Sequence, residues 1–375
     1  MSLKAVVMAG GKGTRLRPIT YAIPKPLVPI AGKPCIGYIL DSFYEAGIKD
    51  AIITAGYKFD ALINGVLKFK HEDQNILFSV EREPAGTAGG VKLVSKFIDD
   101  TFLVGSGDTL IDFNIGKILD FHKKKGSKLT LVLTRADDPS QFGIVDIDGS
   151  RVVRFLEKPT KEEAFSNLIN AGLYIMEPEV LDMIPNGEPY DFAKQLFPSL
   201  LERNFPIHGY IGEGTWLDTG RPHDMIRANQ IMVEKYGKSY DEDGISGKNI
   251  VSSLSFLSRG VVVIGPSYVG SSVRIQPGTK IKASAIYDGV SIGEDVELEN
   301  SILMDDVMIG AGTKIKNSVI MRHTTIGDKC EIHDSVLAPK LKLQSNSRVY
   351  NVALSADVLV LCCELLTILE LLEEG

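Results

Sequence analysis

Cysteine is scarce in this chain: the four present, Cys35, Cys330, Cys362 and Cys363, show neither the paired spacing of metal ligands nor the density of a disulfide scaffold. They read as reduced thiols. A basic excess is missing too, since 41 Lys and Arg against 48 Asp and Glu leave a net charge of −7 and no electrostatic footprint for a nucleic-acid duplex. Long uncharged runs are also absent. The most apolar stretch, Val352 to Leu372, is broken by Asp357, Glu364 and Glu370, whereas a membrane-spanning helix needs about 20 mostly uncharged residues. No secretory leader is legible, because Lys4 is followed by only Ala5–Ala9 before a cluster of glycines. These absences argue against a nucleic-acid partner and a membrane protein and lead to the expectation of a cytoplasmic location. What is present, 44% apolar and 24% charged residues over 375 positions, suffices for two or three packed domains.

From Lys4 to about Tyr236, short β-rich runs alternate with longer helical patterns. Runs such as Ala5–Ala9, Ala51–Ala55, Ile76–Val80, Phe102–Val104, Leu129–Thr134 and Gly172–Met176 are separated by helical stretches such as Ile36–Ala46 and Ile115–Lys124. That alternation predicts an α/β domain with a largely parallel sheet, whose ligands bind at the carboxyl ends of the strands. Residues Tyr236 to Arg259 are polar, turn-rich and aperiodic, and read as a linker.

Beyond the linker the chain repeats itself. Val269, Ile286, Leu303, Ile320 and Leu337 are spaced 17 apart, as are Ile275, Ile292, Ile309, Ile326 and Leu343, and Ile281, Leu298, Ile315, Ile332 and Val349. Ser284, Ser301, Ser318 and Ser335 keep the same step. Three aliphatic columns nearly six residues apart describe a triangular β-solenoid. The final stretch places Leu354, Val358, Leu361, Leu365, Ile368 and Leu372 at alternating steps of 4 and 3, the seam of an amphipathic helix.

The first β-run leads into Gly10-Gly11-Lys12-Gly13-Thr14-Arg15. Glycines directly after a strand let backbone N–H groups approach phosphate oxygens. A Walker A loop is excluded because Gly11-Lys12 is followed by Gly13, and a dinucleotide fingerprint because Leu16 stands where its third glycine belongs. Arg15 and Arg17 follow, and Lys25 sits between Pro24 and Pro26, which stiffen its backbone. A stiffly held cation beside a phosphate loop suits a triphosphate.

The text Gly10-Gly11-Lys12-Gly13-Thr14-Arg15-Leu16-Arg17-Pro18 followed by Pro24-Lys25-Pro26 resembles the signature of the sugar-1-phosphate nucleotidylyltransferases. The resemblance continues through Glu83-Pro84-Ala85-Gly86-Thr87-Ala88-Gly89, Gly107-Asp108, Phe142-Gly143, Glu157-Lys158-Pro159, Asn170-Ala171-Gly172 and Trp216-Leu217-Asp218-Thr219-Gly220. The 17-residue repeat resembles the left-handed β-helix attached to many members. Within the family the chain is most similar to mannose-1-phosphate guanylyltransferases, with glucose-1-phosphate uridylyl- or thymidylyltransferases as the alternative.

The likeness implies a Rossmann-like α/β nucleotidyltransferase domain with a mostly parallel mixed sheet at 1–236. After it come a linker at 237–260, a left-handed parallel β-helix at 261–350 and an amphipathic helix at 351–375. It implies Arg15 and Lys25 as catalytic cations, and Ala9, Gly10, Gly11, Gly13, Thr14, Glu83, Gly86, Thr87 and Ala88 around the nucleotide. Gly143, Glu157, Lys158, Asn170 and Gly172 would surround the sugar phosphate, with Asp108 and Asp218 on Mg²⁺. Two carboxylates sharing one ion suit an attacked triphosphate, because Mg²⁺ takes one or two carboxylates plus phosphate oxygens. The substrates implied are a nucleoside triphosphate and a hexose-1-phosphate. The solenoid and the final helix suggest a homo-oligomer. Two further readings stand beside this one. Acyl transfer is suggested by His323 and His333 within the solenoid and disfavoured by its uninterrupted step. A non-catalytic nucleotide-sugar-binding relative is disfavoured by the joint presence of Arg15, Lys25, Asp108 and Asp218.

Overall fold

The structure is a computed structural model that describes residues 3–242 and 244–354. The chain divides into two compact units. The first gathers Met1–Lys12, Pro24–Leu27 and Pro34–Asp218, and the second Gly13–Ile23, Val28–Lys33 and the chain from Thr219 on.

The strands of the first unit are β1 (Lys4–Ala9), β2 (Asp50–Ala55), β3 (Asn75–Val80), β4 (Phe102–Ser106), β5 (Thr109–Phe113), β6 (Leu129–Arg135), β7 (Gly143–Asp148), β8 (Arg151–Glu157), β9 (Leu168–Met176), β10 (Ile207–Ile211) and β11 (Gly214–Asp218). Nine of them form one sheet in the order β3-β2-β1-β4-β9-β6-β10-β8-β7. The first four run parallel, as the strand–helix alternation implied. The sheet is mixed rather than largely parallel beyond them, because β9 runs antiparallel to both β4 and β6 and the β7–β8 hairpin is antiparallel. Strand β1 alternates between two cores: Ala5, Val7 and Ala9 pack on one face and Val6 on the other. The helix Cys35–Glu45 covers the first face with Ile36, Ile39, Leu40 and Phe43, spaced to fall on one stripe.

In the second unit the three aliphatic columns form the interior of a parallel β-helix. Its coils pair in register at the step counted from the sequence, Tyr268 with Ala285 and Arg274 with Ser291. The serine column has a physical role. Each Oγ donates to a carbonyl two residues back, as Ser301 does to Glu299, and accepts the N–H of the residue one coil on, as Ser301 does from Ser318 and Ser335 from Val352. A corner that would otherwise bury unpaired backbone groups is thereby satisfied at every turn.

The stretch read as an aperiodic linker contains strands Lys238–Glu242 and Ile245–Val251. The second of these already pairs parallel with the coils after it. Its register explains why the sequence hid it. Asn249 opposes Ser267 and Phe256 opposes Arg274, a step of 18 where later coils step by 17, so the columns lose phase. The seam Leu354–Leu372 lies outside the described residues apart from Leu354, which ends a short strand with Ala353.

Candidate active site

Strand β1 ends at Ala9 between β2 and β4, and Gly10 and Gly11 follow at the carboxyl edge of the sheet. Gly107 turns the chain out of β4 while its N–H donates to the Met8 carbonyl at 2.9 Å. A Cβ there would crowd Val7 at 3.0 Å and the Met8 carbonyl at 3.2 Å, so glycine suits this approach. The turn delivers Asp108. Strand β5 then pairs antiparallel with β11, and Asp218 falls opposite Thr109. Two aspartates far apart in the chain thus meet at one end of a two-stranded ladder.

Lys25 lies between them. Its Nζ donates to Asp108 Oδ2 at 2.9 Å and to Asp218 Oδ1 at 2.7 Å, and its side chain is 5% exposed. Burial alone would lower the lysine pKa, but the two carboxylates and their hydrogen bonds outweigh it and raise it, so the ammonium stays charged. Burial likewise pushes Asp108 up, and the Lys25 charge with the Ser106 hydroxyl overcomes it, leaving Asp108 below its ordinary value. Ser106 Oγ donates to Asp108 Oδ1 at 2.6 Å, so both oxygens of that carboxylate are engaged.

A cavity of about 260 Å³ opens beside this trio. Lys25 and Asp108 line it with Ala9, Gly10 and Gly11, and Gly86 and Thr87 close another side. Gly86 has φ +75°, and a Cβ on it would collide with the Tyr190 backbone. The Ala88 and Gly89 N–H groups both donate to the Tyr190 carbonyl, which clamps this loop. Ala88 is fully buried in the core and Glu83 lines a neighbouring groove, so neither borders the cavity.

Three residues of the cavity wall went unnoticed in the sequence. Asp191 accepts from both the N–H and the hydroxyl of Thr87. Thr54 projects from the end of β2. Glu81 is half-buried, with Oε2 accepting the Ala85 N–H at 3.2 Å. Burial pushes its pKa up, partly offset by that hydrogen bond. Lying two residues before Glu83 in an unpatterned polar run, Glu81 gave no signal beyond its residue type.

The residues anticipated around a sugar phosphate form a second cluster within the same unit. Gly143 pairs with Glu157 across the β7–β8 hairpin, and the Lys158 N–H donates to the Phe142 carbonyl. Burial pushes the Glu157 pKa up, opposed by Lys158 and Lys194. Strand β9 bulges between Asn170 and Tyr174, where Asn170 accepts the Gly172 N–H and donates to the Tyr174 hydroxyl. A Cβ on Gly172, at φ +73°, would stand 3.3 Å from Ser106, the residue that holds Asp108. Trp216 joins this cluster to the aspartates: its Nε1 donates to the Ala171 carbonyl, its ring meets Phe142 edge-on, and its strand ends at Asp218. Gly13, Thr14 and Arg15 belong to the second unit, where Gly13, at φ +59°, opens a 3₁₀ turn and Arg15 is exposed.

Residues 4–235 match the nucleotidyl transferase family model. The chain belongs to that family. It is therefore a nucleotidyltransferase. Residues 251–349 of this nucleotidyltransferase match a second model, described as the EIF2B subunit epsilon LbH domain. Among similar proteins, mannose-1-phosphate guanylyltransferase of Mycobacterium tuberculosis is 37% identical over 77% of this chain and 80% of its own. The mannose-1-phosphate guanyltransferase of Saccharomyces cerevisiae is 36% identical over 67% of this chain and 70% of its own. A UTP–glucose-1-phosphate uridylyltransferase from Synechocystis is 30% identical over 80% of this chain and 87% of its own. Among solved structures, HddC from Yersinia pseudotuberculosis complexed with GMP-PN superposes with a TM-score of 0.53 at 28% identity. It covers 61% of this chain and 99% of that one.

Proposed function

We propose that this nucleotidyltransferase joins GTP to mannose-1-phosphate, yielding GDP-mannose and pyrophosphate. The observation that carries the reading is the Lys25 ammonium between Asp108 and Asp218, beside a cavity bordered by Ala9, Gly10 and Gly11. In this reaction a phosphate oxygen of the sugar phosphate attacks the α-phosphorus in line, and the bond to pyrophosphate breaks with its electron pair leaving on pyrophosphate. Both reactants are anions, so the protein's task is alignment and charge neutralisation. Backbone N–H groups at Gly10 and Gly11 receive the phosphates, and Lys25 offsets charge on the transferred and leaving groups.

The donor chemistry of Asp108 and Asp218 fits Mg²⁺. They are two hard oxygen donors converging on one point, and among the described residues no third carboxylate, histidine or cysteine joins them, which leaves the remaining positions to phosphate oxygens. When bound there, the ion would polarise the α-phosphate and screen it from the incoming anion. Glu157, Lys158, Asn170, Gly172 and Gly143 are assigned to the hexose phosphate.

The similarity to guanylyltransferases favours guanine, and Glu81 supports it independently. An ionised carboxylate only accepts hydrogen bonds. Guanine offers two adjacent donors, N1–H and the 2-amino group, whereas uracil and thymine present one N–H flanked by two carbonyl oxygens that a carboxylate repels. Thr87 and Gly86 complete that wall. The same reading takes the protein to be a cytoplasmic homo-oligomer, which a mass measurement at micromolar concentration tests. Pyrophosphate release from GTP, UTP or dTTP mixed with mannose- or glucose-1-phosphate tests the activity. Fastest turnover is expected for GTP with mannose-1-phosphate, and a preference for UTP with glucose-1-phosphate would reassign the substrates. Silence across the whole panel would overturn the activity.

A further inference from the structure

The Lys25 ammonium occupies the point on which Asp108 and Asp218 converge. Asp108 Oδ1 already accepts from Ser106 and Oδ2 from Lys25, and a divalent ion shared with Asp218 would have to take the point that the ammonium holds. Lys25 is itself buried, on a short turn flanked by Pro24 and Pro26. The arrangement is therefore built in and not a loose surface ion pair. One cation also halves the charge of the two anions, so an incoming divalent ion meets a weakened attraction and a like charge beside it.

We propose that Lys25 acts as a resident counter-ion that closes the pair Asp108–Asp218 to divalent metal until a nucleotide arrives. The triphosphate, seated at Gly10 and Gly11, supplies what changes the balance: a new anionic partner for the ammonium and oxygen ligands to complete the ion's shell. Lys25 then moves from the carboxylates to a phosphate, and the two aspartates pass to the metal that accompanies the nucleotide. Metal uptake is thereby tied to nucleotide uptake, and the carboxylates are kept convergent in the empty enzyme without an ion. This inference rests on the assignment of Asp108 and Asp218 as metal ligands made above, and it adds an order of events which that assignment does not require.

The test is binding of Mn²⁺ alone, followed by water-proton relaxation, to the full-length protein without nucleotide or sugar. The wild type should take up no Mn²⁺ at micromolar concentration. Lys25→Met, of similar length and no charge, should bind it roughly 100-fold more tightly than the wild type, with Lys25→Gln giving the same direction as a second neutral replacement. Adding Asp108→Asn to Lys25→Met should abolish the gain. A merely structural role for Lys25 would weaken metal binding on its removal, the opposite sign. Micromolar Mn²⁺ binding by the unliganded wild type would overturn the proposal whatever the variants do. So would equal or weaker binding by both folded Lys25 variants. Failure of the underlying assignment looks different: Lys25→Met then gains Mn²⁺ affinity that survives Asp108→Asn, or activity with Mg²⁺ is indifferent to Asp108 and Asp218.

Discussion

The two units keep their essential residues in opposite ways. The solenoid spends every seventeenth position on the same task, so a column such as Val269, Ile286, Leu303, Ile320 and Leu337 is interior throughout, and its hydrogen bonds run from each coil to the next. The α/β unit assembles its site from positions that share no period: Lys25, Asp108 and Asp218 meet only because β5 pairs with β11 and Gly107 turns the chain. Repetition makes a region redundant and readable. The proposed centre is neither, and single substitutions should separate the two.

The largest effect is expected at the non-redundant centre. Lys25→Ala should lower kcat by about 10³-fold, the scale on which positioned charge in a reaction site acts. Turnover within a few-fold of wild type in steady-state assays would remove Lys25 from the chemistry. In the solenoid, Leu303→Ala should cost ~2–5 kcal/mol of stability through lost burial and a cavity, read as a lower denaturant midpoint. Its kcat well below the unfolding transition should stay at the wild-type value. A kcat loss there would blur the division between the units.

Smaller effects should mark the walls of the cavity. Glu81→Gln exchanges an acceptor pair for one donor and one acceptor, which suits uracil and thymine, so the ratio of kcat/KM for GTP over UTP should fall roughly 100-fold. An unchanged ratio would detach Glu81 from the base. Inosine triphosphate, which lacks the 2-amino group, should be used less well than GTP by the wild type and equally by that variant. Gly172→Ala puts a side chain at φ +73° and 3.3 Å from Ser106, and should raise KM for the sugar phosphate about tenfold with a smaller change for the nucleotide.

Acid should also act on the centre. Asp108 has its pKa held below the ordinary carboxylate value by Lys25 and Ser106, against the opposing push of burial. Its folded-state value is depressed, so its contribution to stability is complete above the unfolded carboxylate pKa and is lost as pH falls through the folded value. Asp108→Asn should flatten that part of the acid limb of unfolding, and an unchanged limb would show that Asp108 does not carry it.

How much could be read beforehand tracks the same contrast. The columns and the serine ladder were legible because a fixed step repeats one physical demand. The two earliest coils were not, because Asn249 and Ser267 stand 18 apart and break phase with the later coils. The glycine turn at the end of β1 was legible too, since a turn directly after a strand depends on local sequence. The meeting of Asp108 with Asp218 was expected through the family resemblance alone, since nothing local records that Thr109 and Asp218 will face each other across a ladder. Glu83 and Ala88, expected around the nucleotide, lie off the cavity that Glu81 lines, and the Ala85 N–H that holds the Glu81 carboxyl is a contact no local pattern announces.

The central claim is that Asp108 and Asp218 act as one unit, and a double-mutant cycle in kcat tests it most directly. Asp108→Asn and Asp218→Asn should each cost about 10³-fold, and the double variant little more than either, as for groups that share one task. Losses that multiply, or either single variant turning over like the wild type, would contradict it.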